Sequence, residues 1–147
     1  MKIKIDKKGF TLIELLAVMA ILGILTLIAI PNVISIIDNN KKDIFISDAR
    51  KLISQAKYQV NKDSGIRDNK FAEFGFDILN ENSDIKVDPD NSDGGNYVAA
   101  GVRYKVNSEG IAEYCVFLIG SKRQIGQDNF GACVNENDLK RDTVVDK

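Results

Sequence analysis

Histidine and tryptophan are absent from the 147 residues, and cysteine and proline occur only twice each. Without histidine the chain lacks the commonest general base and metal ligand. Two cysteines offer little material for a metal or redox centre. No nucleophile motif or phosphate-cradling loop compensates. No catalytic residue, metal or cofactor is therefore predicted, and the chain is not expected to be an enzyme. An excess of charge of one sign is also missing: 20 basic residues stand against 21 acidic ones, a net charge of −1. A nucleic-acid binder shows a basic face. The pairs Lys122-Arg123 and Lys140-Arg141 are too small to make one and read as solvated surface. Tyr97, Tyr104 and Tyr114 fall at strand spacing and are expected in a sheet rather than in a base-stacking platform.

What is present is unevenly spread. Residues 1–9 hold four lysines and one aspartate; the remainder carries 16 basic and 20 acidic residues, a balance of −4. The 23 positions from Leu15 to Ile37 contain no charged residue. About 20 apolar residues span a bilayer core as a helix. A secretory signal has the same order of basic and apolar parts, but its apolar stretch is shorter and ends at a small-residue cleavage site. Leu27-Ile28-Ala29-Ile30-Pro31-Asn32 offers no such site. Residues 10–37 are thus expected to be a retained transmembrane helix. Its Lys-rich end is cytoplasmic by the positive-inside rule, and the rest lies outside, where disulfides are permitted. Glu14 does not fit an ordinary membrane helix. An acidic residue near the middle of such a helix costs about 2.5 to 3.5 kcal/mol on insertion scales, so this one asks for a partner.

The periodicity beyond the apolar run predicts an α+β fold. Phe45, Ala49, Leu52, Ile53, Ala56 and Val60 recur in steps of three and four, the mark of one buried helix stripe. A helix over 38–62 follows, continuous with the apolar one. Gly23 and Pro31 make the stretch between them a soft point, since an interior proline costs about 3 kcal/mol and a glycine about 1 kcal/mol. Phe71, Phe74, Phe76, Ile78 and Leu79 are expected in a short helix or a packed loop, and Ile85-Lys86-Val87 in a short strand. Asp88 to Asn96 reads as a loop. Its oxygen-bearing residues alternate, but the glycine falls at the seventh position and Ala99 stands where an EF-hand needs glutamate. It is taken as a solvated turn. Val98, Ala100, Val102, Tyr104 and Val106 alternate with polar or small residues. Asn107-Ser108-Glu109-Gly110 turns the chain, and Ile111 to Ile119 returns with Ala112, Tyr114, Val116 and Leu118 on one face. This hairpin, with a third strand near Ala132-Cys133-Val134, predicts an antiparallel sheet over roughly 97–134. The amphipathic helix would cover it, and 38–147 would be the globular head.

The run Lys7-Lys8-Gly9-Phe10-Thr11-Leu12-Ile13-Glu14 resembles the N-terminus of a type IV prepilin. A Lys-rich leader precedes glycine, then phenylalanine, then glutamate at the fifth position after the glycine, then an apolar helix. The likeness covers about residues 2–37. It implies removal of leader 1–9 by cleavage between Gly9 and Phe10, through a membrane prepilin peptidase, and N-methylation of Phe10. It implies a type IV pilin fold, with the apolar half of the helix protruding and the amphipathic half on the sheet. It also implies self-association into a helical filament, served indirectly by an assembly platform and an ATPase, and a final extracellular place as a fimbrium in adhesion or motility. By the same resemblance, Gly23 and Pro31 bound the segment where pilin helices lose helicity on assembly. A neighbour's Glu14 would neutralise the ammonium at Phe10; two opposite charges at about 4 Å interact by roughly 4 kcal/mol at an effective dielectric of 20, much of it offset by desolvation. Cys115 and Cys133 resemble the pair that closes a C-terminal loop in many pilins; two unpaired thiols are the other reading. The N-terminus is shared by major pilins, minor pilins, secretion or competence pseudopilins and pilus-borne adhesins or DNA receptors.

Overall fold

The computed structural model describes residues 10–75 and 97–147. The chain forms two compact units that divide between Asp38 and Asn39. The helix α1, Leu12–Lys62, is unbroken over 51 residues. In the first unit every side chain from Phe10 to Ile37 is exposed. Helicity persists through Gly23 and Pro31.

In the second unit the rest of α1 buries one stripe. Phe45, Ala49, Leu52, Ile53, Ala56 and Val60 all enter the core, as their spacing predicts. After Lys62, Asp63 caps a short helix α2, Ser64–Asn69, by accepting a hydrogen bond from the Gly65 amide. Lys70 then takes a left-handed conformation, φ 57°, which ends the helix and turns the chain into strand β1, Phe71–Gly75. This corrects the expectation of a helix or loop at Phe71 and Phe74. The run is too short to show a period, and its backbone partners come from a distant strand. Phe76, Ile78, Leu79, the expected strand at 85–87 and the loop Asp88 to Asn96 lie outside the described residues.

The sheet continues with β2 (Tyr97–Val106), β3 (Ala112–Gly120), β4 (Arg123–Ile125), β5 (Val134–Asn135) and β6 (Val144–Asp146). It is antiparallel throughout, in the order β1-β2-β3-β4-β6. β5 shares the outer edge of β3 with β4, pairing at Cys115 and Val116 while β4 pairs at Leu118 and Ile119. The sheet thus reaches beyond the expected 97–134 at both ends.

Register explains the core. Three rows cross the helix-facing side: Ala72–Tyr104–Tyr114, then Phe74–Val102–Val116–Val134, then Ala100–Leu118–Ile125–Val144. All of these belong to one apolar cluster with the α1 stripe. Each fully buried Val, Leu, Ile or Phe contributes about 1.5–3 kcal/mol. Phe45 meets Tyr97 edge-on at 5.3 Å between ring centres.

The opposite face of β3 is also buried, at Cys115, Phe117 and Ile119. Its cover is the segment after β4. Gly126, at φ 68°, lets the chain pass the carbonyl of Ala132, which would stand 2.7 Å from a β-carbon. Phe130 then lies edge-on against Phe117, 5.2 Å between ring centres. Gly101 makes room for the pair: a β-carbon there would lie 2.6 Å from the Phe117 ring. A disulfide joins Cys115 to Cys133, closing a sequence separation of 18 residues.

Two polar side chains sit in the packed α1 face. Asp48 accepts hydrogen bonds from the Tyr97 hydroxyl and from Lys51 Nζ, both at 2.7 Å. Gln55 is only 1% exposed, and neither atom of its carboxamide has a partner among the described residues.

Candidate functional site

The first turn of α1 explains how Glu14 is held. Thr11 stands just before the helix and Glu14 is its third residue. The Thr11 amide donates to Glu14 Oε2 at 2.8 Å, and the Thr11 hydroxyl donates to the same oxygen at 2.7 Å. The Glu14 amide donates back to Thr11 Oγ1 at 3.4 Å. This is a capping box, in which two orphan amides of the helix end are satisfied reciprocally. The negative charge also faces the positive end of the helix dipole. Glu14 is therefore not a bare carboxylate in an apolar helix: its first partner is in its own chain. The signal Thr11-x-x-Glu14 was open to sequence reading. The long apolar run drew attention to the cost of the charge and away from the cap.

Glu14 Oε1 accepts no hydrogen bond among the described residues, because all three contacts use Oε2 or the backbone. Phe10 is 87% exposed, immediately before the capping threonine. One carboxylate oxygen and one aromatic side chain thus lie open at the same end of the helix. Gly9 lies outside the described residues.

Beyond the first turn the helix surface is kept apolar by self-satisfaction of its few polar groups. Thr26 Oγ1 donates to the Leu22 carbonyl at 2.7 Å, Asn32 Nδ2 to the Ile28 carbonyl at 3.3 Å, and Ser35 Oγ to the Asn32 carbonyl at 2.9 Å. In hydrocarbon a polar group without a partner costs several kcal/mol. Pro31 has no amide to give, so the helix loses one backbone bond there. A β-carbon at Gly23 would meet nothing within 4 Å, so packing inside the subunit does not require glycine. The helix nonetheless continues through both residues.

One helix in the structure is long and apolar enough to cross a membrane, and its apolar window is wholly exposed near the N-terminus. The cysteines singled out in the sequence are brought together, Cα to Cα 5.4 Å, far from this end of the chain in sequence. Among the described residues no group of three or more metal-ligating side chains occurs.

Residues 5–30 match the family model described as the prokaryotic N-terminal methylation motif. No curated protein sequence and no solved structure matches the chain. The matched segment includes Phe10, Thr11 and Glu14, the residues that build the helix start, and it runs on through Gly23. That motif runs into the first part of α1 and is the class III signal sequence of type IV pilins and pseudopilins, and the long helix with its six-stranded antiparallel sheet has an α+β type IV pilin-like layout.

Proposed function

We propose that the chain is a structural subunit of a type IV pilus. It waits as a single-pass membrane protein with a cytoplasmic N-terminus. Prepilin peptidase cuts after Gly9, Phe10 is methylated, and the apolar helix leaves the membrane to pack with others in a filament core. The observation that carries this reading is the methylation motif joined to an apolar helix with every side chain from Phe10 to Ile37 exposed. A monomeric soluble protein rarely exposes a contiguous apolar patch beyond a few hundred Å². Lipid covers the surface first, and other copies cover it afterwards.

The capping box gives Glu14 a role in both states. Oε2 stays on Thr11 and keeps the helix start ordered, while Oε1 takes the new ammonium at Phe10 of a neighbouring copy. Such a pair mainly sets position, since desolvation offsets most of its attraction. The contact is heterologous and does not close, as filament growth from identical subunits requires. Gly23 and Pro31 would let the helix yield between them during packing.

Glu14→Val tests this reading. The variant is expected to be cut after Gly9 at the normal rate and to remain in the membrane, so that sheared surface filaments are lost. Normal filaments from Glu14→Val would overturn the role of the carboxylate. Low abundance of the wild-type chain in surface filaments, with normal processing, would make it a minor pilin or a secretion or competence pseudopilin.

A further inference from the structure

The C-terminal segment from Glu136 to Arg141 runs beside α1 and is tied to it at three points spaced seven residues apart. Lys57 Nζ donates to Glu136 Oε1 at 2.6 Å. Arg50 Nη2 donates to the Leu139 carbonyl at 3.4 Å. Arg141 grips Asp43 through two hydrogen bonds, at 2.7 and 2.6 Å. Leu139 is buried in the core and acts as the pin between them.

On either side of this pin lies an open groove of similar size. The first, of about 380 Å³, is lined by Asn107, Glu113, Asn135, Glu136, Asn137 and Asp138. The second, of about 350 Å³, is lined by Asp43, Ser47, Arg50, Lys140 and Arg141. Their charges are opposite. In the first, Glu136 is paired with Lys57, Glu113 accepts from Asn107 and pairs with Lys105, while Asp138 is exposed and its side chain has no polar partner among the described residues. In the second, Asp43 is used up by Arg141. Arg50 spends one donor on a carbonyl, and the exposed Lys140 side chain donates to no partner among the described residues. The unspent charges are thus one carboxylate on one side of Leu139 and two cations on the other.

A subunit that adds to identical subunits without closing a ring needs two different, complementary patches. We propose that these grooves are such a pair: the Arg50–Lys140 cleft of one head receives Asp138 of the next copy. The inference rests on the filament reading above and names the head contact that accompanies helix packing. Along α1 the cleft centres near Ser47 and the acidic groove lies beside Lys57. Ten residues of helix at 1.5 Å each separate them by about 15 Å along the axis. Complementary charges of this kind fix register and exclude wrong partners more than they add affinity.

The experiment is charge reversal in the full-length chain, read as filament mass sheared from cells that process it. Asp138→Lys and Lys140→Glu each touch an exposed side chain without a polar partner among the described residues, so folding, processing and the disulfide are expected to be unchanged. Each single variant should reduce filament yield about tenfold, through like charges brought face to face. The double variant Asp138→Lys/Lys140→Glu restores the pairing with signs exchanged and should recover most of the yield. Full yield from both single variants, or no recovery in the double variant, overturns the head contact while leaving the filament reading intact. Absence of filaments from the wild-type chain overturns both.

Discussion

The Glu14 carboxylate uses its two oxygens differently. Oε2 accepts from the Thr11 amide and hydroxyl. The charge is therefore capped rather than stranded, and among the described residues Oε1 accepts no hydrogen bond. Other single residues are equally specific. Gln55 is buried, and its carboxamide has no partner among the described residues; an unmade buried hydrogen bond costs about 1–3 kcal/mol. Gln55→Met, similar in length and free of polar donors, is expected to raise head stability by about 1–3 kcal/mol in chemical unfolding. A loss of stability would mean that the amide has a role in the fold. Gln55 could not be recognised from sequence, since a glutamine beside the apolar stripe at Leu52 and Ala56 looks like the edge of a solvated face.

Among the elements, α1 was the most legible, because its two halves carry two unambiguous patterns: an uncharged run from Leu15 to Ile37 and a stripe of period 3.6 from Phe45 to Val60. The hairpin of β2 and β3 was legible from alternation around Asn107–Gly110, but a register shift between Tyr97 and Ala99 leaves Val98, expected on the inward row, exposed. β1, β4 and β6 were not. They are five, three and three residues long, and their identity depends on register with distant partners. The disulfide is also an element-scale device. Its chain-entropy contribution, for a loop of this size, is about 3 kcal/mol, and it anchors the cover over Phe117.

The C-terminal segment has its own pH dependence. The hydrogen bond from Arg141 holds the Asp43 carboxyl below the usual range; desolvation opposes it, and the coulombic attraction of Arg141 adds a smaller lowering. A group whose folded pKa is depressed contributes stability above its unfolded pKa, near 3.8, and loses it as pH falls through the folded value. Wild type and Asp43→Asn are therefore expected to differ in melting temperature at pH 7 and to converge as the pH falls below about 4. The margin is modest because the pair is exposed. A constant difference down to pH 2 would contradict this link.

For the whole molecule, the two units divide the work. The first exposes its apolar side chains from Phe10 to Ile37, and the second is a disulfide-bonded head with its own core. The methylation motif was legible at the N-terminus because its chemistry is linear: basic leader, glycine, phenylalanine, glutamate, apolar helix. The opposed grooves beside Leu139 were not legible. Lys140-Arg141 looked like ordinary surface until the fold set Arg141 on Asp43 and left Lys140 open.

If Phe10 becomes the first residue of a filament subunit, as proposed, intact-mass and N-terminal fragment analysis of surface-sheared material should find a chain that begins at Phe10, carries one methyl group on its amine and retains the Cys115–Cys133 bond. A chain that still carries residues 1–9, or one that is cut elsewhere and unmethylated in assembled filaments, would contradict it.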